Sequence, residues 1–99
     1  MDYRILSTSS GLTVSLSGRL TCTENAHFRN MLMELQERAP SAVTLDLGEV
    51  EFIDSAGLGM LLYTRDTLHQ HQGVVSLSAA KGQVGRMLDL SRIRDLFGG

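Results

Sequence analysis

The sequence predicts a single α/β sandwich, a mixed sheet of four to five strands with helices packed on one face. Three observations lead there. Strand-like and helix-like hydrophobic periods follow one another in the order β-β-α-β-α-β-α, with a short apolar segment after them, and strand-helix-strand units require parallel neighbours joined by right-handed crossovers. The strand segments alternate polar with apolar residues, whereas a sheet covered on both faces would be apolar throughout. A chain of 99 residues is long enough to bury one core and too short for two, so residues 1–99 read as one domain.

The elements follow in order. Tyr3 to Ser7 and Leu12 to Ser17 read as a β-hairpin, the second segment alternating Leu12, Val14 and Leu16 with Thr13, Ser15 and Ser17. Ser9-Ser10-Gly11 supplies the turn chemistry between them. Gly18-Arg19-Leu20 leads out to Thr21-Cys22-Thr23-Glu24, which matches a capping box, a Thr hydroxyl and a Glu three positions on. A helix is expected there, with Phe28, Met31, Leu32 and Leu35 on one face. Pro40 ends it, because the residue before a proline is pushed out of helical geometry. A central strand starts about two residues later, with Val43, Leu45 and Leu47 facing one way. After Glu49 the spacing changes, and Leu58, Leu61, Thr64 and Leu68 fall at helical intervals, placing the turn from strand to helix around Phe52 to Ala56. That second helix is expected to reach Gln72, with Gly73 just past its end. Val74 to Ala79 reads as a strand, and Val84, Met87 and Leu88 as one face of a third helix. Ile93, Leu96 and Phe97 are expected to form a short edge strand before Gly98-Gly99.

Bulk properties exclude several classes. Acidic residues outnumber basic ones 11 to 9 and the net charge is −2, so the basic surface that nucleic acid requires is missing. One cysteine, Cys22, makes no internal disulfide, and three histidines give no set of zinc-ligand spacings. No metal or cofactor is implied. The first residues lack the apolar run of a signal peptide, and no stretch approaches the ~20 apolar residues that span a bilayer. A cytoplasmic protein with no direct membrane insertion is expected.

Enzyme motifs fail on inspection. Ile53-Asp54-Ser55-Ala56-Gly57 lacks the first glycine of a nucleophile elbow. His27, His69 and His71 lie in segments with no argued proximity to Ser55. Gly57-Leu58-Gly59 lacks the third glycine of the dinucleotide fingerprint, so close packing of the helix start against a strand is its better reading. Asp46 and Asp54 suit a brace and a cap better than a metal or acid-base pair. Ser55 stands at a helix start, where negative charge is tolerated. A serine there is commonly a cap and nothing more. Its company argues for more, since Gly57 and Gly59 leave backbone bare, and an exposed Met60 would suit an adaptable contact surface.

The run Leu45-Asp-Leu-Gly-Glu-Val-Glu-Phe-Ile-Asp-Ser-Ala-Gly-Leu-Gly59, placed after a hairpin and one helix, resembles the signature of STAS domains, specifically bacterial anti-sigma factor antagonists. The resemblance extends in order and spacing over about Leu12 to Phe97. It implies a STAS-like sandwich without catalytic activity. It further implies a module that binds an anti-sigma factor which is also a serine kinase, of the histidine-kinase-like ATPase type, and that loses this binding when Ser55 is phosphorylated. A PP2C-type phosphatase would restore it. The partner face carried over onto this chain is Asp54, Ala56, Gly57, Leu58, Gly59 and Met60, with Thr21 beside it. Two departures stand out. Thr21 occupies a position where many members carry an aspartate, and the chain stops at Gly99 where the family usually continues into a further helix. The alternative within the family is an unphosphorylated STAS subunit of a lipid-transporting ABC transporter.

Overall fold

Each strand and helix expected from the periodicity forms, with one exception at the C-terminal end. The computed structural model describes residues 1–97; Gly98 and Gly99, included in the expected domain, lie outside the described residues. The elements are β1 (Asp2–Thr8), β2 (Gly11–Leu20), α1 (Asn25–Arg38), β3 (Ala42–Ile53), α2 (Ser55–His69), β4 (Val74–Ser78) and α3 (Gly82–Ser91), with short 3-10 helices at Cys22–Glu24 and Ile93–Leu96. The sheet has four strands in the order β1-β2-β3-β4. β1 runs antiparallel to β2, and β2, β3 and β4 are parallel. One core cluster joins Val14, Leu16, Val43, Leu45 and Leu47 of the strands to Phe28, Met31 and Leu35 of α1, Leu61 and Leu68 of α2, and Val84 and Leu88 of α3. All three helices therefore cover the same face. The opposite face carries the alternate residues, among them Thr13, Ser15, Thr44, Asp46 and Ser76, as half-exposed polar side chains.

Both central strands are longer than their simple alternation. β2 continues through Gly18-Arg19-Leu20 where an exit loop was expected, and ends on fully buried Leu20. β3 runs to Ile53. Its pairing with β2 slips twice: Ser15 faces Asp46 but Ser17 faces Glu49, and Gly18 faces Val50 but Arg19 faces Phe52. Each slip inserts one extra residue into β3, a β-bulge that reverses which parity points inward. The buried residues Leu47, Val50 and Ile53 are consequently three apart, and the change of spacing after Glu49 marks bulges in a strand and not its end. Asp46 braces the first bulge, its Oδ1 accepting the Gly48 N–H at 2.9 Å.

Three end signals resolve differently from expectation. Thr21 makes no side-chain cap; its hydroxyl meets that of Thr23 at 3.1 Å, and Glu24 instead pairs with the Met1 amine. The capping box is displaced by a tertiary ion pair, and α1 starts from a 3-10 turn. α2 ends at His69, three residues early, and the left-handed residue of the following turn is Gln72 (φ 64). Gly73 serves close approach, since a Cβ there would lie 3.0 Å from the carbonyl oxygens of Leu68 and Pro40. Finally, Ile93, Leu96 and Phe97 form no edge strand. Arg92 takes a left-handed conformation (φ 62) and the segment closes local i→i+3 bonds, such as Asp95 N–H to the Arg92 carbonyl at 3.3 Å.

Candidate functional site

The parallel pairing of β2 with β3 brings the ends of both strands to one edge of the sheet. Leu20 pairs with Ile53, so Thr21 emerges beside Asp54 and Ser55. The Asp54 N–H donates to the Leu20 carbonyl at 3.3 Å, closing the ladder one residue beyond the strand. α2 starts at once. Asp54 is extended (φ −110, ψ −173) and its Oδ1 accepts the Gly57 N–H at 2.8 Å, which makes Asp54 the N-cap. Its own carbonyl accepts the Leu58 N–H at 3.0 Å, the first bond of the helix.

This arrangement answers the question left by the sequence about which of the two residues caps. Asp54 does, so Ser55 occupies the first helical position and its hydroxyl is exposed rather than folded back on the backbone. The first N–H groups of a helix have no partner within it. Two of those at this tip are taken, Asp54 by Leu20 and Gly57 by the Asp54 carboxylate. Those of Ser55 and Ala56 lie in the first turn, at the positive end of the helix dipole.

The two glycines of the motif do different work. A Cβ on Gly57 would lie 2.2 Å from the Leu20 carbonyl oxygen and 2.6 Å from Ile53 Cγ1, so only glycine lets α2 approach the strand ends so closely. A Cβ on Gly59 would meet nothing within 4 Å. The close-packing reading holds for Gly57 and fails for Gly59, which is exposed.

Gly59 instead borders a groove of about 420 Å³ between α1 and α2, lined by Phe28 and Arg29 on one side and Ala56, Gly59, Met60 and Tyr63 on the other. Met60 is not the exposed residue expected; it is 7 % accessible and lines the groove from α2. Leu58 is likewise 7 % accessible and belongs to the core. Of the partner face carried over by resemblance, the structure leaves Ser55 and Gly59 exposed and Asp54, Ala56 and Thr21 half-exposed, and it buries Gly57, Leu58 and Met60.

Several residues of this edge are not recognisable from the sequence as belonging to the site. Phe28, Arg29 and Tyr63 line the groove from helices whose mutual packing no local pattern encodes. The Arg19 guanidinium stacks over the Phe52 ring at 4.5 Å, next to the paired strand ends. Gln83, from α3, hydrogen-bonds both backbone groups of Ile53, at 2.9 and 2.8 Å. A helix-to-strand pair of this kind, thirty residues apart, has no signature within a window of sequence.

The remaining candidates separate. Asp46 and Asp54 stand eight residues apart on an extended strand, roughly 25 Å, and each is committed to its own backbone N–H. His27 packs against the Tyr3 ring at a centroid distance of 5.5 Å, on the far side of β2 from the tip. Met31 is fully buried and Met33 exposed. Among the described residues no group of three His, Cys, Asp or Glu could hold a metal ion, and no helix is long and apolar enough to cross a membrane.

The comparison that decides the family is a match of residues 3–98 to the STAS domain model. The chain belongs to the STAS domain family. This STAS domain is 32% identical over 81 residues to the anti-sigma F factor antagonist of Paenibacillus polymyxa, covering 81% of this chain and 69% of that one. Its fold superposes with a TM-score of 0.86 on the crystal structure of an anti-sigma factor antagonist from Mycobacterium paratuberculosis, at 23% identity, covering 97% of this chain and 81% of that one. It is also similar, with a TM-score of 0.69 and 16% identity, to the Bacillus cell fate determinant SpoIIAA solved in its phosphorylated form, covering 91% of this chain and 83% of that one.

Proposed function

We propose that this STAS domain is an anti-sigma factor antagonist, a cytoplasmic binding module without catalytic activity, switched by phosphorylation of Ser55. Its partner in this reading is an anti-sigma factor that doubles as a serine kinase of the histidine-kinase-like ATPase type, and a PP2C-type phosphatase reverses the modification. The observation that carries the reading is the division of labour at the α2 tip. Asp54 supplies the cap, at 2.8 Å to the Gly57 N–H, so the adjacent hydroxyl is exposed and has no structural duty that phosphate would disrupt.

The contact would run from Thr21, Asp54 and Ser55 along Ala56 and Gly59 into the groove above Met60. A phosphoserine carries about −1.5 to −2 charges, which the helix terminus tolerates within the fold. Inside an interface the same dianion loses its water and adds to the charge of Asp54. A loss of about 3 kcal/mol weakens binding more than a hundredfold.

The test begins with a pull-down from the native cytoplasm, with mass spectrometry of the partner and of Ser55. Affinity of the captured partner is then measured for the wild type, Ser55→Ala and Ser55→Asp. Ser55→Ala is expected to bind as the wild type does, and Ser55→Asp at least tenfold more weakly. Equal binding by the two variants would remove the switch.

A further inference from the structure

Among the described residues, the half of β3 that leads to the switch has a strand on one side only. β4 accompanies β3 as far as the Asp46–Ser78 pair, while β3 continues to Ile53. At the last residue the missing neighbour is replaced by a side chain. The Ile53 N–H donates to Gln83 Oε1 at 2.9 Å, and Gln83 Nε2 donates to the Ile53 carbonyl at 2.8 Å. A primary amide offers the same donor and acceptor as a backbone unit, so Gln83 acts here as one residue of an absent strand. On the other side the Asp54 N–H reaches the Leu20 carbonyl at a longer 3.3 Å. The two residues before Ser55 are thus held from both flanks, and the tighter flank is Gln83.

We infer that Gln83 is the positioning residue of the Ser55 tip: it fixes the direction in which β3 delivers Asp54 and Ser55 to a partner or a kinase. The inference rests on the switch reading for its consequence and on the two hydrogen bonds for its geometry. Gln83 is the second residue of α3, whose Val84 and Leu88 are fully buried. The amide is therefore presented from an element anchored in the core, independently of α2. α2 has its own anchors in Leu61 and Leu68. Loss of the amide loosens the tip without releasing either helix, and a loosened tip must be ordered again each time it is bound.

The test uses the full chain with Gln83→Met, which keeps length and removes both hydrogen bonds, and Gln83→Glu. The glutamate is reversible by pH: ionised, it has no donor for the Ile53 carbonyl and repels it; protonated, it regains one. Hydrogen-exchange protection of the Ile53, Asp54 and Leu58 amides, each normalised to its intrinsic rate, reports the tip without any partner. Affinity for the partner retained by the wild type reports the consequence. Gln83→Met is expected to lower protection at Ile53 and Asp54 and to weaken binding, each by about tenfold, with core amides of β2 unchanged. Gln83→Glu is expected to show the same loss at pH 7.5 and to recover toward pH 5, as its carboxyl approaches its ordinary range near about 4.3. Wild-type protection and affinity in Gln83→Met would overturn the assignment. So would an even loss of protection across the whole core, or a Gln83→Glu phenotype that ignores pH. If the Ser55 variants bind alike, the switch reading fails on its own evidence and the exchange data alone decide the role of Gln83.

Discussion

Gly57 and Gly59 sit two residues apart in one helix and are expected to respond to alanine in opposite directions. At Gly57 the new Cβ lies 2.2 Å from the Leu20 carbonyl oxygen and 2.6 Å from Ile53 Cγ1. An ordinary contact needs about 3.5 Å, so the carbonyl must retreat by more than 1 Å. It is also the acceptor for the Asp54 N–H, already at 3.3 Å, so the retreat breaks that bond. Overpacking of this kind costs about 1–3 kcal/mol and the lost hydrogen bond about 1, offset by at most about 1 from helix propensity. The net loss is roughly 2 kcal/mol, on the order of 10 °C in Tm for a domain of this size. At Gly59 nothing lies within 4 Å of the new methyl group, so only the propensity gain remains. That is roughly 1 kcal/mol and a rise of about 4–8 °C. Thermal unfolding followed by circular dichroism on both variants measures the difference directly. Shifts of the same sign would refute the assignment of one glycine to packing and the other to an outward surface. The stability forgone at Gly59 also argues for its use: nothing inside the domain requires a glycine there, so the bare backbone suits what approaches from outside. Gly59→Gln, which projects a long chain over the groove, is expected to keep a Tm at or a few degrees above the wild type and to weaken partner binding at least tenfold.

Two further outcomes concern single side chains. Asp54→Ala removes the cap and is expected to cost about 1 kcal/mol, while Asp54→Asn keeps an acceptor for the Gly57 N–H and costs little, a difference that urea unfolding resolves. The Tyr3 hydroxyl donates to Glu34 at 2.9 Å, and this bond, with burial and the carboxylate charge, raises the phenol above its ordinary value near about 10. Because the folded state favours the protonated phenol, the contribution is fully present below the unfolded value and is lost as pH rises through the folded one. Phenolate absorbance, compared with Tyr3→Phe to isolate this residue, is expected to show a high titration midpoint that falls in Glu34→Gln.

Much of the fold was legible because single-faced burial writes itself into the strands. Val14 and Leu16, or Val43, Leu45 and Leu47, could be placed without knowing what covered them. What misled was each place where a tertiary partner replaced a local rule. The three-residue spacing of Leu47, Val50 and Ile53 looked like the end of a strand because a bulge changes parity without ending the ladder. Thr21 and Glu24 had the right spacing for a capping box, but the Met1 amine, distant in sequence, took the glutamate. Ile93 and Leu96 were too few to reveal whether their three-residue spacing was noise or a 3-10 turn. At the site, the position of Ser55 at a helix start could be read directly. Its freedom from capping could not, since Asp54 and Ser55 are equally good caps by residue type and only the extended backbone of Asp54 decides between them.

Whether charge at Ser55 would act by reshaping the domain or by altering its surface is a question of magnitudes. Behind the tip, α2 is held by Leu61 and Leu68, each at most 2 % accessible, while the buried Thr64 hydroxyl is satisfied within the helix by the Met60 carbonyl at 2.9 Å. Burying each leucine stabilises by about 1.5–3 kcal/mol. The interaction of a charge with a helix terminus is about 0.3–1 kcal/mol when exposed, and at this end it favours the anion. The force that a phosphate exerts on the fold is therefore smaller than the anchorage of the helix and has the stabilising sign. No strained or alternative packing is needed to accommodate it, and Gly57, sealed against Leu20, leaves no room for α2 to slide inward. What the charge changes is the water and the partner groups that the tip can meet. A helix anchored at its rear and bare at its front keeps its shape when modified and loses only its complement, which is the behaviour a reversible binding switch requires.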